Sequence, residues 1–311
     1  MRRKNPSILC FTTSYKRPYN LYHCANSILN QSYSSFDYAI GLSVDTPREQ
    51  HEYEYLLSDY SKDKRLKILF HPNFSQHENY LYPIKKADYE KYDIFIKIDD
   101  DDIYKKTYIE NMLNHYQKCQ KDVLSGYITY QLNNNKLYKG KFDNVGGHWH
   151  EDLKSDVQFG MPFTYIFNRK ALNVLLNTTS AELSQIHIFE DAGWRKKWRD
   201  NNITSKVLDN IDYAIYNIHG NNISSKHCFI PDGDGEGKIY ISQDGFDIAY
   251  FVHYGWESYC LIDTKRHKIF NIENNHYGKF DLNKKIITIN WESYGKEAFK
   301  LDNNKIYRYI Q

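Results

Sequence analysis

Residues 93–103 read DIFIKIDDDDI, a short apolar run that ends abruptly in Asp99, Asp100, Asp101 and Asp102. The apolar run has the length and composition of a buried strand. Four adjacent carboxylates repel one another, and folding alone gives no reason to place them together. The sequence therefore predicts a strand that ends in an acidic site. We call these four aspartates the acidic run.

The segments before this strand alternate between strand-like and helix-like patterns. Strands are predicted at residues 7–12, 38–44 and 65–70, and helices at residues 18–30 and 47–60. Helical segments of this length between strands indicate a Rossmann-like α/β domain with a mostly parallel sheet. In such sheets ligands bind beyond the carboxyl ends of the strands, where residues 13–17, Asp45 and the acidic run are expected to lie.

The segments after the acidic run predict two different kinds of structure. Helices are expected at residues 104–119 and 171–176, strands at residues 123–130 and 163–167, and a further helix from Glu190 onward. Residues 231–237 (PDGDGEG) interrupt this order, because one Pro and three Gly in seven residues do not hold a regular element. Short alternating runs follow. We predict an α/β domain over residues 1–231 and a small antiparallel β-rich domain over residues 232–311.

Composition excludes some classes of partner and location. The formal net charge is +2, which is too small to favour nucleic acid as a partner. The five cysteines are scattered without a C-x-x-C pair, as is typical of a reducing compartment. The apolar run at residues 8–11 is too short for a signal peptide, and no stretch of about 18 apolar residues is present. We expect a cytoplasmic protein.

Two interpretations of the acidic run stay open. Asp101 and Asp102 could cap a helix that begins near Tyr104, since carboxylates complement the free N–H groups of a helix start. Alternatively, the carboxylates could hold a hard divalent cation, Mg²⁺ or Mn²⁺, because oxygen ligands select such ions. A cap needs one aspartate rather than four, which favours the metal site.

Several segments, in order, resemble one family. They are residues 10–17 (CFTTSYKR), residues 26–33 (NSILNQSY), Asp45, the acidic run as a DXD-like signature, Glu190-Asp191, and residues 216–224 (YNIHGNNIS). Together they resemble glycosyltransferase family 2, whose members have the GT-A fold. The resemblance covers residues 7–225 and implies a bacterial-style enzyme of polysaccharide biosynthesis.

The resemblance implies roles for individual residues. The residues implied in donor binding are Thr13, Tyr15, Arg17, Asp45, Asp99 and Asp100. The residues implied in metal binding are Asp101, Asp102 and His219, with Asp101 as the direct ligand. Which of the four aspartates ligates the metal stays open, because the run allows the register to slip. A lone His is also often structural.

Transfer to an acceptor hydroxyl also requires a general base. Asp191 is the candidate, with Glu190 beside it, although both could be ordinary acidic residues in the first turn of a helix. A single base on the acceptor side implies direct displacement and inversion at the anomeric carbon.

Acceptor binding is assigned to aromatic residues. The loop at residues 146–150 (GGHWH) offers His148 and Trp149, with Trp149 stacking on a sugar, although the segment could also be a plain loop. Trp194 is a further candidate, but Trp194 and Trp198 lie four residues apart on one helix face and could equally be packing residues.

The resulting hypothesis is an inverting, Mn²⁺- or Mg²⁺-dependent glycosyltransferase. Its donor would be a nucleotide sugar, with UDP as the carrier, and its acceptor a cell-surface glycan or glycolipid, such as capsule or lipooligosaccharide. Peripheral association with the inner face of the membrane, homo-oligomer formation and the role of residues 232–311 stay open. The alternatives are a carbohydrate-binding protein with a degenerate catalytic domain and a sugar nucleotidyltransferase.

Overall fold

The computed structural model describes residues 6–133, 136–139, 159–184, 190–218, 246–253, 256–263, 267–271, 276–283, 286–291, 295–302 and 305–308. These residues form two sheets. One is an α/β sheet from strands within residues 8–218, and the other is a closed barrel from strands within residues 246–308.

The first sheet alternates strands and helices along the chain. Its strands are β1 (Ile8–Tyr15), β2 (Asp37–Ser43), β3 (Leu66–His71), β4 (Ile94–Lys97), β5 (Ile103–Tyr104), β6 (Val123–Asn133), β7 (Lys136–Lys139), β8 (Ile166–Asn168) and β9 (Ser205–Ile218). Its helices are α1 (Pro18–Leu29), α2 (Pro47–Leu57), α3 (Gln76–Lys86), α4 (Tyr108–Cys119), α5 (Arg169–Leu176), α6 (Ser180–Ser184) and α7 (Glu190–Asp200). Within the described ranges, no helix is both long and apolar enough to cross a lipid bilayer.

The strand order explains where the chain can bind a ligand. The order is β3-β2-β1-β4-β8-β6-β9-β5, with β7 paired to β6. Strands β1 to β4, β6 and β9 run in one direction, whereas β5, β7 and β8 run in the other. The predicted mostly parallel α/β sheet is therefore confirmed. The chain changes direction across the sheet between β1 and β4, and such a switch point leaves a crevice at the carboxyl ends of the two strands.

The sheet is buried on both faces, which is why its central strands are almost continuously apolar. Successive side chains of a strand point to opposite faces. Ile8 and Cys10 of β1 pack in a cluster with α1, α2 and α4, whereas Leu9 and Phe11 pack in a second cluster with α3, α5 and α7. The acidic run follows β4, whose residues are all buried, so its position is fixed by a rigid part of the core.

Some element bounds differ from the expectations. Strand β1 extends to Tyr15 instead of ending at Thr12, because its pairing with β2 continues to the Tyr15–Ser43 pair. The helix expected from Tyr104 begins only at Tyr108, since Ile103 and Tyr104 pair with β9 as strand β5. Helix α3 was not predicted, although Ser75 and Glu78 form a complete capping box at its start.

The second sheet confirms the antiparallel β-rich expectation for the carboxyl-terminal part. Its strands are β10 (Phe246–His253), β11 (Trp256–Asp263), β12 (Lys268–Asn271), β13 (His276–Asn283), β14 (Ile286–Trp291), β15 (Gly295–Asp302) and β16 (Lys305–Arg308). Sequential strands of the barrel are antiparallel. Because the number of strands is odd, the first and the last run in the same direction, and β10 and β16 close the barrel as a parallel pair. The boundary near residue 231 lies outside the described residues and stays a prediction.

The barrel strands alternate between interior and exterior side chains. Along β13, Phe280 is buried, whereas Lys279 and Asp281 on either side of it are exposed. Ile289 of β14 is buried opposite Phe280, while its neighbour Asn290 is exposed. This period of two is the pattern of a sheet with one face on an apolar core.

Candidate active site

The carboxyl ends of β1, β2 and β4 bring most of the predicted donor residues to one edge of the sheet. Thr13 and Tyr15 lie in the last three residues of β1, Arg17 follows β1, and Asp45 follows β2. The acidic run begins two residues after β4, the other neighbour of β1. The edge therefore joins a carboxylate near β2 to a larger group of carboxylates near β4.

The β2 side of this edge is a small hydrogen-bonded cluster around Asp45. The Tyr15 hydroxyl donates to Asp45 Oδ2 at 2.7 Å, and Lys16 Nζ lies 2.9 Å from the same oxygen. The Lys16 ammonium also sits 4.7 Å from the centroid of the Tyr15 ring. These hydrogen bonds lower the pKa of Asp45, led by the one from Lys16. Thr13 is half-buried beside this cluster on β1.

Asp99 is held from inside the protein by two residues that sequence reasoning missed. Lys97 Nζ lies 2.5 Å from Asp99 Oδ1, and the Tyr80 hydroxyl donates to the same oxygen at 2.8 Å. The Lys97 side chain is fully buried and lies over the Tyr80 ring, 4.4 Å from its centroid. A lysine inside the apolar run IFIKI is a readable signal, because a charge in a buried strand requires a partner.

Asp100 and Asp101 share Arg17. The Arg17 guanidinium lies 3.0 Å from Asp100 Oδ1, and its other terminal nitrogen contacts Asp101 Oδ2. Asp100 Oδ2 is buried and has no hydrogen-bond partner among the described residues. Burial is the largest cause that raises the pKa of Asp100, to about 7, and it acts against the attraction of Arg17. Asp102 is also buried, at 3% exposure.

The acidic run does not cap a helix. Helix α4 begins at Tyr108 with Thr107 in the capping position, and Ile103 and Tyr104 are in strand β5. Asp101 and Asp102 are therefore separated from the helix start by a strand. The capping interpretation is wrong, and the repulsion among four carboxylates has to be explained in another way.

The carboxylates are not gathered as a closed metal centre. Within the described ranges, no three Asp, Glu, His or Cys side chains converge in a way that could enclose an ion. Mg²⁺ and Mn²⁺ sites of nucleotide enzymes commonly use only one or two carboxylates and take further oxygens from the phosphates. The buried oxygen of Asp100 and the hard oxygen donors of Asp101 and Asp102 fit such an open site.

Trp194 does not offer a surface to an acceptor, which corrects its assignment as an acceptor-binding residue. Its side chain is fully buried. The indole Nε1 donates to His77 Nδ1 at 2.9 Å, and the ring packs against Tyr80 and Trp198. The two tryptophans lie one helical turn apart on the face of α7 that packs on the core, so the packing interpretation holds.

His77 links α3 to two other segments. Because its Nδ1 accepts from Trp194, its Nε2 carries the proton and donates to the carbonyl of Thr178 at 3.0 Å. Burial lowers the pKa of His77, which keeps this neutral form. Helix α3 therefore contacts α7 through His77 and the acidic run through Tyr80.

The remaining predicted residues stay predictions. Glu190 and Asp191 are the first two residues of α7. His148, Trp149 and His219 lie outside the described residues.

The fold is similar to that of solved glycosyltransferases. TarS from S. aureus (residues 1–349) matches with a TM-score of 0.52 and 16% identity over 68% of this chain and 60% of that chain. TarS with UDP-GlcNAc matches with a TM-score of 0.52 and 15% identity over 72% and 62%. Mannosyltransferase PcManGT from Pyrobaculum calidifontis, in complex with GDP-Man and Mn²⁺, matches with a TM-score of 0.50 and 9% identity over 70% and 59%.

These matches show the GT-A fold, and the chain spans about 60% of the length of the first of them. No curated protein matches the chain by sequence. The family model described as "Glycosyl transferase family 2" matches residues 10–184, which include most of β1, the acidic run and α5. The match covers more than half of the chain, and the chain therefore belongs to glycosyl transferase family 2.

Proposed function

We propose that the chain is a metal-dependent, inverting glycosyltransferase that moves a sugar from a nucleotide diphosphate sugar to a hydroxyl of a glycan acceptor. The observation that carries the proposal is the position of the acidic run beside Arg17 at the switch point between β1 and β4. Family membership and the fold of nucleotide-sugar-binding neighbours support the same class of reaction.

The nucleoside would lie at the β2 side of the edge. The Asp45 carboxylate would accept hydrogen bonds from the base, and the Tyr15 ring beside it offers a flat face for stacking. Thr13, two residues before Tyr15 on β1, would also contact the nucleoside. Asp99, whose Oδ1 is fixed by Lys97 and Tyr80, would face the ribose or the diphosphate.

The divalent cation would be held by Asp101 and Asp102 from the acidic run, with Asp100 behind them and His219 as a further ligand. When bound, Mn²⁺ or Mg²⁺ supplies Lewis-acid stabilisation of the negative charge that develops on the leaving diphosphate. The carboxylates alone would repel that charge, so the acidic run requires cations before a diphosphate can bind.

The acceptor hydroxyl would attack the anomeric carbon directly. The bond between that carbon and the diphosphate oxygen breaks as the new glycosidic bond forms, and the hydroxyl proton passes to a carboxylate. We assign that base to Asp191, with Glu190 beside it, at the start of α7. General-base assistance of this kind contributes about 10²- to 10⁴-fold to the rate. One displacement inverts the anomeric configuration.

The carrier is proposed by analogy with the neighbours, and the acceptor follows from the family resemblance. TarS binds UDP-GlcNAc and PcManGT binds GDP-Man, and we propose UDP as the carrier for this chain. The acceptor would be a cell-surface glycan or glycolipid, made at the inner face of the membrane in a bacterial polysaccharide pathway, with His148 and Trp149 at the acceptor. The carboxyl-terminal domain would bind the acceptor, pack on the catalytic domain or form an oligomer.

A thermal-shift screen of UDP- and GDP-sugars with and without Mn²⁺ tests the donor and the metal together. A ligand at one hundred times its Kd stabilises the fold by about 2.7 kcal/mol. We expect a UDP-sugar to stabilise the chain only when Mn²⁺ is present.

The matched variant is Asp101→Asn, which should lower transfer by at least about 10²-fold through lost electrostatic stabilisation and abolish the Mn²⁺-dependent shift. Asp88 is an exposed aspartate paired with Lys91, and Asp88→Asn is the control. It should change neither the transfer rate nor the Mn²⁺-dependent thermal shift. Transfer that persists in excess EDTA would contradict the metal, and glycan binding without any transfer would favour a carbohydrate-binding protein.

A further inference from the structure

Two cations of very different burial contact the acidic run among the described residues. Lys97 is fully buried, bonded to Asp99 at 2.5 Å and covered by the Tyr80 ring, so it cannot leave without opening the core. Arg17 is 29% exposed and reaches its carboxylates from outside the sheet. Lys97 is thus a fixed countercharge, whereas Arg17 can move.

The backbone at Arg17 is fixed even though its side chain can move. The Arg17 N–H donates to the Tyr53 hydroxyl at 3.2 Å, and helix α1 begins at the next residue. Lys16 has φ 57°, in the left-handed region that non-glycine residues rarely adopt. This turn sends Lys16 to Asp45 and Arg17 to Asp100 and Asp101, so two adjacent cations serve two separate acidic groups.

Arg17 and a divalent cation require the same carboxylates. A guanidinium hydrogen-bonded to Asp101 Oδ2 and 3.0 Å from Asp100 Oδ1 excludes a second cation from those oxygens by contact and by like charge. Once the guanidinium leaves, its planar fork suits the oxygens of a diphosphate, to which arginine binds in a bidentate way.

We propose that Arg17 is a displaceable cation that occupies the metal position of the acidic run in the metal-free protein and moves to the donor diphosphate when the metal binds. This inference rests on the proposed function, since it assumes a divalent cation and a diphosphate at this edge. The movement of Arg17 would make nucleotide and metal binding cooperative, because the diphosphate provides a new partner for the displaced guanidinium.

The proposal predicts opposite effects of one substitution on two ligands. Apparent metal affinity is reduced by the fraction of molecules whose carboxylates are accessible. If Arg17 covers them in about nine molecules of ten, removing it tightens Mn²⁺ binding about tenfold. The same removal deletes a diphosphate contact and weakens UDP binding in the presence of Mn²⁺. A residue that merely stabilised the fold would not change the two affinities in opposite directions.

The experiment titrates Mn²⁺ into the full chain by electron paramagnetic resonance without nucleotide, and then titrates UDP by calorimetry at saturating Mn²⁺. The variant is Arg17→Met, with Arg17→Gln as a second variant if the first does not fold. Lys16→Met is the matched control, because it removes the same charge from the same loop at Asp45 instead of the acidic run. We expect Arg17→Met to bind Mn²⁺ about tenfold more tightly and UDP more weakly, and Lys16→Met to keep the wild-type Mn²⁺ affinity.

Three results would overturn the inference. If the folded Arg17 variant binds Mn²⁺ within about twofold of wild type, or more weakly, Arg17 does not compete with the metal. An equal gain in Lys16→Met would show only a general effect of charge. If the wild type binds UDP but neither it nor any variant binds Mn²⁺, the metal of the proposed function is wrong as well. This outcome differs from the first two, in which the wild type does bind Mn²⁺.

Discussion

The acidic run and Asp122 place carboxylates at opposite edges of the same sheet, and their surroundings differ completely. Asp122 directly precedes β6, whose direction matches that of β4, so it lies at the amino-terminal edge. Its carboxylate accepts hydrogen bonds from the Thr204 N–H and hydroxyl and from Lys170 at 2.9 Å each, and from Asn168 at 3.0 Å. It joins β6 to the segments that begin α5 and β9.

The electrostatic consequences have opposite signs. Burial opposes ionisation of Asp122, but its hydrogen bonds outweigh burial and hold the pKa of Asp122 well below its usual range. Burial dominates at Asp100 and raises its pKa. One edge uses a carboxylate to stabilise the fold, whereas the other keeps carboxylates at a cost in stability. Such a cost is typical of a functional site.

The largest effect expected from this comparison is the loss of stability in Asp122→Ala. The substitution leaves the Thr204 N–H, Lys170 and Asn168 without their common acceptor, which should lower the free energy of unfolding by about 2–4 kcal/mol. Urea denaturation at pH 7 measures it. Asp212→Ala, at an exposed aspartate of β9, is the control and should change stability by less than about 0.5 kcal/mol.

The activity of folded Asp122→Ala distinguishes the two edges further. Asp122 lies far from the carboxyl ends of the strands, so the transfer rate per folded molecule should match wild type. A rate that falls as far as in Asp101→Asn would contradict the separation of a stabilising edge from a binding edge.

The second expected effect is a difference in pH dependence, measured in the presence of a chelator. Asp122 stays charged in the fold while the unfolded chain binds a proton, so its contribution is lost as pH falls below its ordinary value of 3.8. Asp100 holds a proton in the fold that the unfolded chain has released, so it reduces stability as pH rises from about 4 to about 7. One group contributes a slope of at most about 1.4 kcal/mol per pH unit.

Two substitutions assign these slopes. Asp122→Asn should remove part of the loss of unfolding free energy that occurs as pH falls below about 4. Asp100→Asn should remove part of the loss of unfolding free energy that occurs as pH rises from about 4 to 7. Each variant is the control for the other in urea titrations across the pH range. If Asp100→Asn leaves the slope in that window unchanged, the carboxylate of Asp100 is not the strained group of the acidic run.

The acidic run was more predictable from sequence than the contacts that support it. Strand β4 and the acidic run were found because an apolar run followed by four aspartates is a local pattern. The Arg17 contacts with Asp100 and Asp101 join residues more than 80 positions apart, and only the sheet order brings them together. A local pattern therefore predicted the cluster of carboxylates, but not the arginine that pairs with two of them in the structure.

Helix α3 shows a different reason for failure. Pro83 lies inside it, and its composition is polar, so the apolar period was hidden even though Ser75 and Glu78 form a capping box. Because α3 was missed, Tyr80 and His77 were missed with it. Trp194 was a related case, since the spacing of two tryptophans places both on one face of a helix but does not determine whether that face points to the core or to solvent.

The smallest effect expected concerns this link between α3 and α7. Trp194→Phe keeps most of the buried ring but removes the donor to His77 Nδ1, which should lower stability by about 1–2 kcal/mol. Trp198→Phe is the matched variant, because it loses an indole hydrogen bond of similar length, to the Ala171 carbonyl at 3.0 Å, without touching His77. Neither should change the KM for the acceptor, since both rings are fully buried. A rise of more than about threefold in acceptor KM, confined to Trp194→Phe, would mean that α3 transmits the position of α7 to the acceptor and is more than a structural support.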